Sequence, residues 1–439
     1  MTEDQNRILL EKAKLYLPGG RLTEVVLPLG LDFVASHGQG AYIYDVNGRK
    51  YIDYLINGGA LILGHAHPSV VEAVKKNAPK GFSFMITNNR ILELAEEIVK
   101  SVRCAEKIRF TASGMEACYY SLIAARTYTG REKVLKFEGG YHGHGDYFDI
   151  SSVNSNSYDL KPHPEPAIES TGIPKSVHKT VLVAPFNDIE HVKCIIEKHK
   201  DDLACIIMEP VQRQIQPKEG FLQSVRKMAS EHGIVLIFDE MVTGFRISYG
   251  GAQEHYGVVP DLTALGKIMT GGLPGGAIVG KADIMNLCAD QGTKDGKEYR
   301  RWFQGGTFNG NPLMASAGLA TLNEMKKNGT YNKLRKYGND LRAGIKGVLE
   351  GFSIPVQVLG IGPLSDYLIS EEQIDNYRDA LRSNLKMKSL INKELLRRGV
   401  FFMDGASAKI YNSLSHGEEE LKNTLRAFED ATKEARKSL

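Results

Sequence analysis

The chain has 439 residues, 42% of them hydrophobic and 24% charged, with a formal net charge of +3. That length holds more than one hydrophobic core, and the composition is that of a globular protein rather than a fibrous or low-complexity one. Basic residues are scattered rather than bunched with aromatics, which argues against a nucleic-acid partner, and the absence of an eighteen-residue apolar run argues against a membrane span.

The start, MTEDQNRILLEKAK, is charged and amphipathic and lacks the apolar block of a signal peptide, so a cytoplasmic setting is expected. Cys104, Cys118, Cys194, Cys205 and Cys288 stand far apart with no C-x-x-C pair, the pattern of reduced structural thiols, and no metal site is expected. In YIYDVNGRKYIDY (42–54) apolar and polar residues alternate around Asn47-Gly48, which predicts an antiparallel hairpin closed by a type I′ turn.

From about residue 85 the texture changes to short apolar runs separated by helical patterns: KIRFT, KVLKF, TVLVAP, ACIIMEP, IVLIFDE and GGAIVG. This alternation predicts an α/β fold, a mostly parallel central sheet covered by helices. Residues 374–398 and 417–437 read as amphipathic helices around the strand-like GVFFM, a smaller α+β domain. The expected organisation is a large domain over 61–325, a small domain over 326–439, and an N-terminal segment, 1–60, that joins the small one.

Ligands of open α/β sheets bind beyond the carboxyl ends of the strands, so the residues that follow each apolar run carry the chemistry. After KIRFT, Ser113 and Glu116 form an S-x-x-E capping box, and the free N–H groups of the helix it opens suit an anion. After KVLKF, Tyr141, His142 and His144 sit among glycines that let backbone approach a bound ring, and a tyrosine can lie flat on one. Asp239 ends IVLIFD, where a buried carboxylate needs a partner. Lys267 ends TALGK, where a partly desolvated amine can form a Schiff base. An anion cradle, a stacking loop, a buried carboxylate and an amine together suit pyridoxal 5′-phosphate, whose protonated ring nitrogen makes it an electron sink.

These residues carry a family resemblance. With GAYIYDVNGRKYIDY, GHAHPSVVEAV, RFTASGMEA, KFEGGYHGHGD, MEP, IFDEMVTGFR, DLTALGK, GGLPGG and GTFNGNPLMASAG, the chain resembles the class III, fold type I aminotransferases dependent on pyridoxal phosphate, the glutamate-1-semialdehyde 2,1-aminomutase-like group among them. The resemblance implies that Lys267 binds the cofactor and that Ser113, Gly114 and the N–H of Met115 hold its phosphate. It implies further that Tyr141 and Val242 flank the ring, with His142 beside them, that Asp239 pairs with the ring nitrogen and that Glu209 lies toward its hydroxyl. Thr307 is implied to reach the phosphate of a neighbouring subunit, which makes the protein a homodimer with amino-acid and keto-acid substrates.

Several positions depart from the aminomutase pattern. Met115 replaces a usual threonine, Val26 stands where an arginine grips the substrate carboxylate, and Ala408, followed by Lys409, stands where a glutamate is expected. The gating segment is replaced by the longer YFDISSVNSNSYDLKPHPEPAIESTGIP, within 147–176. An aminotransferase is therefore the expected activity, with the aminomutase and an amino-acid racemase of the same family as alternatives.

Overall fold

The six apolar runs and the segment leading to Lys267 pair into one seven-stranded sheet. The computed structural model describes residues 4–22, 27, 31–152, 164–289, 300–406 and 408–438. Backbone contacts divide the chain into two units, one of Ser69–Lys327 with Asp375–Arg378, the other of Met1–Pro68, Asn328–Ile374 and Asp379–Leu439. The sheet lies in the first unit. From edge to edge its strands are Lys107–Thr111, Gly276–Gly280, Leu262–Gly266, Val235–Asp239, Leu203–Met208, Lys133–Phe137 and Val181–Ala184.

The last five of these are mutually parallel. Gly276–Gly280 runs antiparallel to both of its neighbours. The reason is chain length, since the segment from Lys267 to Gly275 is shorter than the dozen or more residues that a parallel crossover needs. Val235–Asp239, Leu262–Gly266 and Leu203–Met208 are buried throughout, which is why they read as continuous apolar runs, whereas the edge strand Lys107–Thr111 is partly exposed. Helix Gly114–Thr129 buries Ala117, Cys118, Leu122, Ala124 and Ala125 in the same core as Val235, Ile237, Ala264 and Ile278.

In the second unit, Tyr42–Asp45 and Lys50–Asp53 pair as the predicted antiparallel hairpin, with Val400–Phe401 parallel to the latter. The turn is not type I′. Only Gly48 has a positive φ, 82°, and the Asp45 carboxylate closes the loop by accepting the N–H groups of Asn47 at 3.0 Å and Arg49 at 2.8 Å. The stretch read as one helix over 374–398 is two, Tyr377–Arg382 and Leu385–Arg397, because the Asn384 side chain accepts the Met387 N–H and starts a new helix. Glu418–Lys437 forms the last helix, and Tyr54, Leu341, Ile391 and Phe428 anchor this unit's core.

Candidate active site

The strand ends line up along one edge of the sheet. Gly276 is opposite both Thr111 and Gly266, Asp239 is opposite Ala264, and Phe238 is opposite Met208. Ser113, Lys267, Asp239 and Glu209 therefore leave the sheet from neighbouring points of the same edge, although long stretches of sequence separate them.

Asp239, on the middle strand, is 3% exposed. One carboxylate oxygen accepts the Met241 N–H at 3.0 Å; the other faces His142 Nδ1 at 2.8 Å and Cys118 Sγ at 3.5 Å. Burial and the neighbouring Asp239 push the Cys118 thiol well above its ordinary range, so it remains a donor. Facing a carboxylate, His142 donates from Nδ1, and its Nε2 is buried without a hydrogen-bond partner among the described residues. The ligand atoms of Cys118, His142 and Asp239 lie within 4.8 Å of one another, a spacing also found around metals, but here they are engaged with each other as donors and acceptor.

The turn after Asp239 is organised by Glu240, which is 1% exposed. Its carboxylate takes the side chains of Thr243 and Gln253 and the N–H of Ala252, and burial still raises it above the usual carboxylate range. This fixes Met241 and Val242. Met241, which sequence reasoning passed over, lies against two glycines: a Cβ built on Gly114 or Gly266 would come 2.6 or 2.7 Å from its sulfur.

At the opposite end of the row, Ser113 caps helix Gly114–Thr129 by accepting the Glu116 N–H at 3.2 Å, while Glu116 reaches back to the Ala112 N–H at 3.0 Å. The N–H groups of Gly114 and Met115 donate to nothing among the described residues, so the positive end of the helix is open to an anion. Gly276 permits the approach of this loop, since a Cβ there would sit 2.5 Å from the Ser113 carbonyl oxygen. Lys267 follows Gly266 with φ +50°, a left-handed conformation that costs about 1–3 kcal/mol for a non-glycine residue and is characteristic of functional sites. Its charge acts on the Cys118 thiol, which puts the amine within electrostatic reach of the Asp239 cluster.

The loop bearing Tyr141 and His142 is held from several sides. Buried Lys136 donates to the carbonyls of Phe148 at 2.9 Å and Ile150 at 2.6 Å, the Gln212 side chain donates to the Glu138 carbonyl, and Arg378 pairs with the Glu138 carboxylate. Glu209 accepts the Tyr141 N–H at 2.8 Å. Tyr141 is half-buried, and desolvation raises its phenol against the pull of Arg213. Beyond Glu209, three consecutive side chains each keep a buried polar atom without a partner among the described residues: Gln212 Oε1, Arg213 Nη2 and Gln214 Nε2. Sequence reasoning stopped at Glu209; the signal it left unused was the polar run directly after a strand end.

Comparison with known proteins decides what these parts belong to. Residues 29–431 match the family described as aminotransferase class III. The chain belongs to the class III aminotransferases. This class III aminotransferase is 36% identical over 428 residues, 96% of its length and 97% of the relative's, to glutamate-1-semialdehyde 2,1-aminomutase 1 of Staphylococcus epidermidis. Its structure matches an omega-transaminase from Sphaerobacter thermophilus with a TM-score of 0.91 at 34% identity, covering 99% and 98% of the two chains. The fold is also that of a glutamate-1-semialdehyde aminomutase from Pseudomonas aeruginosa, TM-score 0.85 at 23% identity, over 98% and 94% of the chains.

The enzyme depends on pyridoxal 5′-phosphate. The residues present fit that group: open helix amides for a phosphate, a buried carboxylate for a ring nitrogen, an amine on the adjoining strand end, and orphaned buried donors on Arg213 and Gln214. Thr307 lies on the surface of its own unit, and among the described residues only its carbonyl is engaged, by the Ser83 hydroxyl at 3.4 Å. Val26 lies outside the described residues. Ala408 and Lys409 are buried in the second unit, whereas Arg21 pairs there with Asp32 at 3.0 Å.

Proposed function

We propose that the enzyme moves an amino group between an amino acid and a keto acid, with Lys267 holding the cofactor and moving the substrate proton. The observation that carries this is the pairing of Asp239 with Ala264, which sets the buried carboxylate one strand away from the Lys267 turn. Pyridoxal 5′-phosphate supplies an aldehyde for the amine and a ring that takes up the electron pair left when a substrate proton departs. Around it, Asp239 keeps the ring nitrogen's proton in place, His142 and Cys118 hold Asp239, and the Gly114 and Met115 amides with Ser113 receive the phosphate. Tyr141 and Val242 confine the ring, and Glu209 sets Tyr141 through its backbone N–H.

A homodimer in the cytoplasm completes the proposal. It is supported by the exposed apolar side chains of Phe303 and Phe308 beside Thr307 and of Phe82, Met85 and Ile86 in the segment whose Ser83 contacts it, an unusual surface for a lone chain, and by five cysteines that all remain free thiols.

The 36% identity to a glutamate-1-semialdehyde aminomutase favours a second reading, in which the same amine is returned to the adjacent carbon of one substrate. Against it stands buried Ala408, which offers no acidic group where that pattern has one. Supplying glutamate-1-semialdehyde without any amino donor separates the two. No 5-aminolevulinate is expected until an amino donor is present, and its formation at an ordinary enzymatic rate without one would establish the aminomutase.

A further inference from the structure

Amino-acid and keto-acid substrates bring a carboxylate, and the position at which the aminomutase pattern has its carboxylate-gripping arginine carries Val26. Among its described residues, the unit that holds Lys267 and Asp239 contains four lysine or arginine side chains that are nine-tenths buried or more: Lys136, Arg213, Arg246 and Arg378. Lys136 is occupied by two backbone carbonyls, Arg378 grips the Glu138 carboxylate with two nitrogens, and Arg246 closes its own turn on the Val242 carbonyl.

Arg246 also leaves a nitrogen, Nη1, without a hydrogen-bond partner among the described residues, but it is Arg213 that stands against the Tyr141 ring. Arg213 is 6% exposed, and its one hydrogen bond among the described residues runs from Nε to the Gly139 carbonyl at 2.6 Å. The Glu209 carboxylate stays 4.0 Å from Nε, and the same oxygen already accepts the Tyr141 N–H. Nη2 is buried and donates to nothing among the described residues. A buried guanidinium without a hydrogen-bonded anion is costly, and a planar fork with unused donors matches a carboxylate. Its location is also specific, since its guanidinium carbon lies 5.4 Å from the centre of the Tyr141 ring, and Tyr141 is within electrostatic reach of Asp239. The backbone holds Arg213 and Gln214 at φ 51° and 70°, two consecutive left-handed non-glycine residues, a strain typical of binding loops.

We infer that Arg213 receives the substrate's carboxylate beside Tyr141 and so selects amino acids and keto acids over simple amines and aldehydes. This rests on the aminotransferase reading and names the group that recognises its substrate class.

The test is equilibrium binding of unreactive probes to the enzyme loaded with pyridoxal 5′-phosphate, measured by calorimetry. The probes are propanoate and 3-phenylpropanoate, each against its neutral amide. The wild type is expected to prefer carboxylate over amide by about thirtyfold or more, the low end for a buried charged hydrogen bond. Arg213→Gln is expected to abolish that preference, and Arg213→Lys to retain part of it. No preference in the wild type, or the same preference in Arg213→Gln, overturns the inference. If Arg213 only shapes the Tyr141 loop, Arg213→Gln will weaken carboxylate and amide alike and lower cofactor retention, which also overturns it. Cofactor attachment at Lys267 is measured separately, so failure of the aminotransferase reading is recognised independently.

Discussion

His142 Nδ1 and Asp239 Oδ2 lie 2.8 Å apart, and both side chains are buried. The histidine's Nδ1 faces the carboxylate, which orients Asp239. His142→Phe is expected to retain the cofactor but to lower kcat roughly tenfold to a hundredfold, the effect of losing one hydrogen bond to a buried charge. Asp239→Asn should lower it further, with kcat falling more than KM, because an amide cannot hold the ring nitrogen's proton. Steady-state kinetics of the two variants checks this; unchanged activity in either contradicts it.

Gly276 is required by space, since an added Cβ would lie 2.5 Å from the Ser113 carbonyl and 2.7 Å from the Thr111 hydroxyl. Gly276→Ala is expected to displace the start of the Ser113-capped helix, costing about 1–3 kcal/mol of stability and weakening cofactor binding. Gly172→Ala, where a Cβ meets nothing within 4 Å, serves as the neutral comparison. Thermal unfolding with and without pyridoxal 5′-phosphate measures both effects.

Lys136 makes a pH prediction. Burial lowers its amine from the ordinary 10.5 to about 7. Between these values the unfolded chain carries a proton that the folded chain has shed, so this group makes stability rise with pH across that window and leaves it flat outside. Lys136→Met removes the slope and also strips the Phe148 and Ile150 carbonyls of their donor, costing about 1–3 kcal/mol. Denaturant unfolding should show the wild type's advantage over the variant growing from pH 7 to pH 10; a constant difference contradicts the assignment.

Much of this arrangement is legible in the sequence, and the boundary has a physical cause. Asp239 and Lys267 stand out because each ends an apolar run, and the Ser113 cap because its signature is local. The His142 contact to Asp239, the placement of Met241 against Gly114 and Gly266, and the orphaned donors of Arg213 and Gln214 depend on strand order, which brings together segments far apart in sequence. The hairpin turn shows the same limit on a small scale: alternation announces the strands, but the Asp45 side chain decides the turn.

The exposed Phe303 and Phe308, at 71% and 64%, flank Thr307, and the Ser83 contact ties the Phe82–Ile86 segment to it. A dimer is expected in sedimentation at working concentration. Ile86→Asp should yield monomers that lose the cofactor readily, while Thr307→Ala should weaken cofactor retention in an intact dimer. A wild-type monomer that retains the cofactor would contradict the shared site.

The central claim is that Lys267 holds the cofactor at the edge of the sheet beside Asp239. Borohydride reduction of the enzyme loaded with pyridoxal 5′-phosphate, followed by peptide mapping, tests it most directly. The account predicts a pyridoxyl group on Lys267 and none on Lys267→Ala, which should also lack turnover; a pyridoxyl group on any other lysine of the wild type would contradict it.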